Sequence, residues 1–170
     1  MLKILIPVDG SSCALEGVKY VIQESKQHTE PMHVHLVNVQ PRLPNDVTRY
    51  ARHQDVHAYQ AECAGKALAA AVALLGGASL PHSVHISKGD VIESIVACAE
   101  TLHCDRIVMG TARKNALVRF IEGSMINRVI ARSDIPVEVI ARERGTLLER
   151  FAVPVGFGAG LMLLWAALSE

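Results

Sequence analysis

The chain carries no net charge, because Lys+Arg and Asp+Glu both number 17. A nucleic-acid binder needs a basic face, so this balance argues against one. The four cysteines, Cys13, Cys63, Cys98 and Cys104, include no Cys-x-x-Cys pair and lack the spacing of a zinc framework. No secretory leader is legible, since Met1 runs straight into a strand-like segment. The expectation is reduced, mostly buried thiols in a cytoplasmic setting. There is no repeat of solenoid period. There is no Gly-x-Ser-x-Gly elbow for a serine nucleophile and no P-loop lysine motif. These absences leave little room for a dedicated hydrolase.

What is present reads as one α/β domain with an appendage. The 170 residues suit a single core, and half of them are hydrophobic. Leu2 to Val8 is an apolar run broken by Lys3, as in a strand buried on both faces. Asp9-Gly-Ser-Ser12 forms a turn into a helix N-cap, followed by Leu15, Val18, Val21 and Ile22 at helical spacing. Met32 to Val39 alternates into a second strand, and a Pro/Asn/Asp stretch follows at Pro41 to Asp46. A helical pattern then runs from Val47 to Leu75, Ala-rich in its second half, with Gly76-Gly77 as its stop. Val84 to Ser87 predicts a third strand, and Gly89-Asp90 caps a helix bearing Ile92, Ile95, Val96 and Ala99. Arg106 to Met109 predicts a fourth strand, Gly123-Ser124 opens another helix, and Pro136 to Ile140 predicts a fifth strand. Strands alternating with helices imply parallel pairing in a doubly wound sheet, with order 3-2-1-4-5 expected. Ligands of such sheets lie beyond the carboxyl ends of the strands, where Asp9, Val39, Gly89 and Gly110 fall.

The loop after the fourth strand runs from Met109-Gly-Thr-Ala-Arg113 to Glu122-Gly-Ser124. A glycine directly after a strand admits a ligand close to backbone. A helix opening at Gly123-Ser124 offers free N–H groups to an anion, and Arg113, Lys114 and Arg119 add positive charge.

Taken together, Ile4-Leu-Ile-Pro-Val-Asp-Gly-Ser11, Gly89-Asp90, Asp105-Arg-Ile-Val-Met-Gly110, Gly123-Ser124 and Ile135-Pro-Val-Glu-Val139 resemble the universal stress protein family over residues 1 to 142. The resemblance implies a regulatory domain, usually a homodimer, that either binds an adenine nucleotide or does not. The binding branch carries Gly-x-x-Gly, nine residues, then Gly-Ser/Thr. Here the first glycine is Gly110 and the final pair is Gly123-Ser124, with Met125 next; Arg113 stands where the middle glycine belongs. Either Arg113 fills the phosphate site, or it swings outward and pairs with phosphate as a charge-assisted donor. Further nucleotide contacts carry over to Pro7, Val8, Asp9, Val39 and Met109. The Asp9 carboxylate would meet a ribose hydroxyl or the adenine amine, unless it simply caps the first helix. ATP or another adenine nucleotide, with or without Mg2+, is the implied ligand, and slow hydrolysis is the most to expect of it. The resemblance also implies a homodimer through the last strand, Val137 to Ile140.

Two features fall outside that pattern. His53 and His57 lie four apart on one predicted helix face, but Asp55 does not share it, so a solvated face is the plainer reading than a metal site. After a linker at residues 143–150, Phe151 to Leu168 runs eighteen residues without a charge. That is about 27 Å of helix, at the lower end of what spans a bilayer. Trp165 suits an interfacial anchor, and Gly156 and Gly160 permit close helix contact. Arg142, Arg144 and Arg150 precede the segment, which would keep the domain on the cytoplasmic face. The alternative is a helix buried on the dimer or on a membrane-protein partner.

Overall fold

The computed structural model describes residues 1–27, 29–41, 53–111 and 125–141. Five strands form one parallel sheet: β1 (Leu2–Pro7), β2 (Met32–Gln40), β3 (His82–Lys88), β4 (Arg106–Thr111) and β5 (Val137–Ala141). Their order is β3-β2-β1-β4-β5, as expected. The apolar run in β1 makes it the central strand: Ile4, Leu5 and Ile6 are wholly buried, with neighbours on both edges.

Side-chain alternation splits this sheet into two apolar layers. Ile4, Ile6, Val34 and Leu36 meet α1 (Ser12–Ser25) and α2 (His53–Gly77) on one face. Leu5, Val37, Ile107 and Met109 meet α3 (Val91–Thr101) and α4 (Met125–Arg132) on the other. The chain winds outward from β1 in one direction to β2 and β3, and in the other to β4 and β5. The reversal therefore lies between β1 and β4, and a crevice opens there. At the far end of β4, Arg106 ties β5 to α1. It pairs with Glu24, and its other nitrogen lies 3.1 Å from Glu138. The Glu138 carboxylate also pushes the Tyr20 hydroxyl up to about 12 through a hydrogen bond, helped by burial.

Two boundaries depart from the sequence reading for identifiable reasons. The third strand is longer than expected, His82–Lys88, because it pairs with β2 along its whole length, from Val34↔His82 to Gln40↔Lys88. The glycine pair does not stop α2. Gly76 and Gly77 lie inside the last turn, and the left-handed residue is Ser79, with φ 55. The Leu80 N–H donates to the Leu75 carbonyl at 3.0 Å, closing a Schellman turn whose apolar contact is Leu80 against the core. His103, φ 52, ends α3 in the same way, with the Cys104 N–H donating to the Ala99 carbonyl at 2.9 Å. A side chain in the left-handed region costs about 1 kcal/mol. Ser79→Gly should therefore raise the melting temperature by about 2–4 °C. An unchanged or lower value in a thermal melt would show that Ser79 bears no such cost.

Candidate functional site

Three strand ends and three helix starts build the crevice. β1 ends in Pro7, Val8 and Asp9, and the chain turns at Gly10, φ +84. Asp9 Oδ1 accepts the Ser11 N–H at 2.9 Å, a side-chain turn that folds the chain back. Ser11, and not Asp9, caps α1: its Oγ accepts the Ala14 N–H at 3.2 Å. The Asp9 carboxylate thus stays exposed at the mouth of the crevice. Gly10 is fixed twice over, by its φ and by α2, whose Ala67 Cα would lie 3.2 Å from any added Cβ.

From β2 come Val37, Asn38 and Val39. Asn38 is buried, and both ends of its amide are engaged. Its Nδ2 donates to the Val8 carbonyl at 2.6 Å, and its Oδ1 accepts from Gln40 Nε2 at 2.6 Å. The Gln40 carbonyl in turn accepts the Gly89 N–H at 3.1 Å. One chain of hydrogen bonds therefore spans the ends of β1, β2 and β3 and holds Val8, directly before Asp9, in place. Asp90 caps α3, as expected: its Oδ1 accepts from Ile92 and Glu93 at 3.0 Å each. The Glu93 N–H holds that carboxyl below its usual range. Val91 and Ile95 of α3 then wall the crevice.

β4 contributes Met109 and Gly110. Gly110 lines the crevice, but its bare Cα has a second use that the sequence does not announce. An added Cβ would lie 1.7 Å from the Cys13 carbonyl oxygen, so the first turn of α1 rests directly on this glycine.

The crevice holds about 200 Å³, with an apolar floor of Val8, Val39, Ile95 and Met109 and a polar lip at Asp9 and Ser11. Small-molecule clefts usually start near ~300 Å³. Seven of the ten expected ligand contacts meet in it: Pro7, Val8, Asp9, Val39, Met109, Gly110 and Met125. The other three, Arg113, Gly123 and Ser124, lie outside the described residues, as do the linker and residues 151–168. Sequence reasoning missed Asn38. Its one signal was an amide in an otherwise apolar stretch of β2, where burial obliges it to find partners.

Other chemistry is spread thinly. His57 is exposed on α2, and its Nδ1 is engaged by the Lys88 ammonium. No three His, Cys, Asp or Glu residues gather as metal ligands among the described residues. The cysteines are free, yet only Cys104 is buried; Cys13, Cys63 and Cys98 are half-buried, a correction to the mostly buried set expected. Cys13 lies in the first turn of α1 and Cys63 on a flank of α2, so neither reaches the core layers. Burial pushes the Cys104 thiol up to about 11 and raises that of Cys98, which disfavours the nucleophilic thiolate at both. No helix among the described residues is long and apolar enough to cross a membrane.

Comparison with known proteins agrees with the architecture. A model of the universal stress protein family matches residues 1–141. The universal stress protein MJ0531 of Methanocaldococcus jannaschii is 29% identical over 145 residues, covering 84% of this chain and 83% of its own. Among solved structures, the hypothetical protein MJ0577 superposes with a TM-score of 0.66 at 26% identity, over 84% of this chain and 97% of its own. A universal stress protein family protein from Arabidopsis thaliana, solved with AMP bound, gives 0.62 at 15% identity, over 84% and 93%. The universal stress protein of Archaeoglobus fulgidus in complex with dAMP gives 0.57 at 21%, over 82% and 98%.

Proposed function

The chain belongs to the universal stress protein family, and from that premise we propose that its crevice binds an adenine nucleotide and that the protein is a regulatory module rather than an enzyme. The observation that carries this reading is the convergence of Pro7, Val8, Asp9, Val39, Met109 and Gly110 on one pocket at the switch point of the sheet. An apolar floor suits a purine ring, and an exposed carboxylate at the lip suits a ribose hydroxyl. The AMP and dAMP held by the Arabidopsis and Archaeoglobus proteins support an adenine ligand. The sequence Gly123-Ser124-Met125 would supply phosphate donors at a helix start. Nucleotide occupancy would alter a surface read by a partner.

Calorimetric titration of the full chain with ATP and with AMP, each with and without Mg2+, tests the reading. Saturable binding that Gly123→Val removes is expected. No heat of binding up to millimolar nucleotide would overturn it.

A second reading has one observation of its own, the Arg113 side chain in place of the motif's middle glycine. On this reading the protein binds no nucleotide and acts as a dimeric interaction module. β5 supports the dimer, being an edge strand paired only with β4 among the described strands. The uncharged residues 151–168 support attachment to the cytoplasmic face of a membrane or to a membrane protein. Recovery of the full chain in the soluble fraction without detergent would sink the attachment. Arg113→Gly separates the two readings at the loop: a gain in ATP affinity shows that the side chain blocks the site.

A further inference from the structure

Three histidines, His33, His35 and His85, gather on β2 and β3. His33 and His35 lie opposite Lys3 and Leu5 of β1, and both point to the face that α3 covers. The His33 and His35 rings are 4.6 Å apart between centroids, and those of His35 and His85 are 5.3 Å apart. His33 Nε2 lies 2.9 Å from Ser83 Oγ. His35 Nδ1 lies 3.1 Å from His85 Nε2, so one ring donates to the other. His35 is only 8% exposed, and its Nε2 is buried with no hydrogen-bond partner among the described residues.

The bond between the two rings survives one proton but not two, because a doubly protonated pair has no lone pair left to share. A neutral pair has one N–H and one lone pair for the shared bond. An added proton on His35 makes both its nitrogens donors, and Nε2 has no acceptor to meet. It also places a full charge in a buried layer that already holds a cation. The charged and titratable neighbours are Lys3 on β1, His33 on β2 and His85 on β3. Lys3 is itself held there by donating to the Leu102 carbonyl at the end of α3, at 3.0 Å. From α3, which packs on β2 and β3, the inward titratable group is Cys98, while Glu93 and Glu100 are exposed. Cys104 and Asp105 follow α3, and Asp105 accepts the Lys3 N–H at 2.7 Å. No carboxylate among the described residues faces His35 to offset its charge.

We propose that His35 and His85, beside His33, form an acid-sensitive latch, and that protonation of the His35–His85 pair loosens β3 and α3 from the remainder of the sheet. The latch is independent of nucleotide binding. Burial, followed by His33, His85 and Lys3, holds His35 down at about 4, and burial also lowers His85. A histidine in the unfolded chain titrates near ~6.5. Between those values the unfolded chain binds protons that the folded one refuses, so stability falls as pH falls. The loss begins near pH ~6.5 and is complete near pH ~4, while above it the contribution is flat.

Thermal melts of the full chain from pH 7.5 to 5.0 avoid most carboxylate titration. A falling melting temperature with an onset near pH 6.5 is expected, with amide exchange at residues 82–101 accelerating more than that of β4. His35→Leu should remove at least half of the melting-temperature drop. His85→Gln, at a half-buried position, serves as a second variant should His35→Leu fail to fold, because it keeps a hydrogen-bonding partner that does not titrate. A flat wild-type profile, a wild-type slope in His85→Gln, or uniform acceleration of exchange would each overturn the latch.

Discussion

Gly110→Ala is expected to destabilise the protein by about 3 kcal/mol, near the upper end for overpacked sites. The methyl group would lie 1.7 Å from the Cys13 carbonyl oxygen and 2.5 Å from its carbon. Both are backbone atoms in the first turn of α1, so no rotamer change relieves the clash. Either α1 lifts from β4 or the end of β4 bends away. α1 cannot lift freely, because Val18 and Val21 are wholly buried in the layer beneath it and Ser11 fixes its start. A fall in melting temperature of about 6–12 °C should follow for a chain of this size.

Gly17→Ala is the control. Its added Cβ would meet the Gly110 nitrogen and Val108 Cγ1 at 3.5 Å, ordinary contact distance, and it sits in a helix where alanine is favoured. It should leave stability unchanged or raise it slightly. A Gly110→Ala protein as stable as the parent would mean that α1 and β4 do not touch as described. Any loss of nucleotide affinity in Gly110→Ala must then be read with care. The glycine that the family motif assigns to the ligand is also a packing residue between helix and strand, and calorimetry on a loosened protein would confuse the two roles.

That double duty marks the boundary of what the sequence can reveal. The β1 run Ile4-Leu-Ile6 and the alternating strand and helix patterns are local signals. With the right-handed crossover rule they imply a parallel, doubly wound sheet without any knowledge of contacts. Asp90 as a cap is equally local, because the side chain bonds two and three residues ahead. Gly110 is different, since the atom that forbids its Cβ belongs to Cys13, on another element. Asn38 and Val8, and likewise His35 and His85, meet only through strand register, which a composition pattern does not contain. The stop of α2 shows a local signal misleading: Gly76-Gly77 looks like the terminator, but Leu80 must reach the core, and that places the left-handed turn at Ser79.

The second large effect is expected at Asp9, and it falls on binding rather than on stability. The carboxylate spends one oxygen on the Ser11 N–H, an exposed turn contact at 2.9 Å. Its backbone is placed by Val8, whose carbonyl is gripped by Asn38 and whose N–H donates to the Val37 carbonyl at 2.8 Å. Asp9 therefore has a defined position whether or not its side chain is present. If that carboxylate accepts a ribose hydroxyl, Asp9→Ala forfeits a hydrogen bond to a charged group, about 1.5–3 kcal/mol. That corresponds to roughly a 10- to 150-fold weaker ATP affinity by calorimetry. Asp9→Asn keeps an acceptor oxygen in the same place and should lose several-fold less. Both variants should melt within about 1 kcal/mol of the parent, since the turn is solvent-exposed. Ser11→Ala supplies the converse: loss of the α1 cap should cost about 1 kcal/mol of stability and leave affinity nearly unchanged. Parental ATP affinity in Asp9→Ala, alongside lost binding in Gly123→Val, would keep the phosphate end of the site and remove the ribose contact from it. Equal weakening by Asp9→Ala and Ser11→Ala would instead assign the effect to the turn, and the carboxylate would have no direct part in holding the nucleotide.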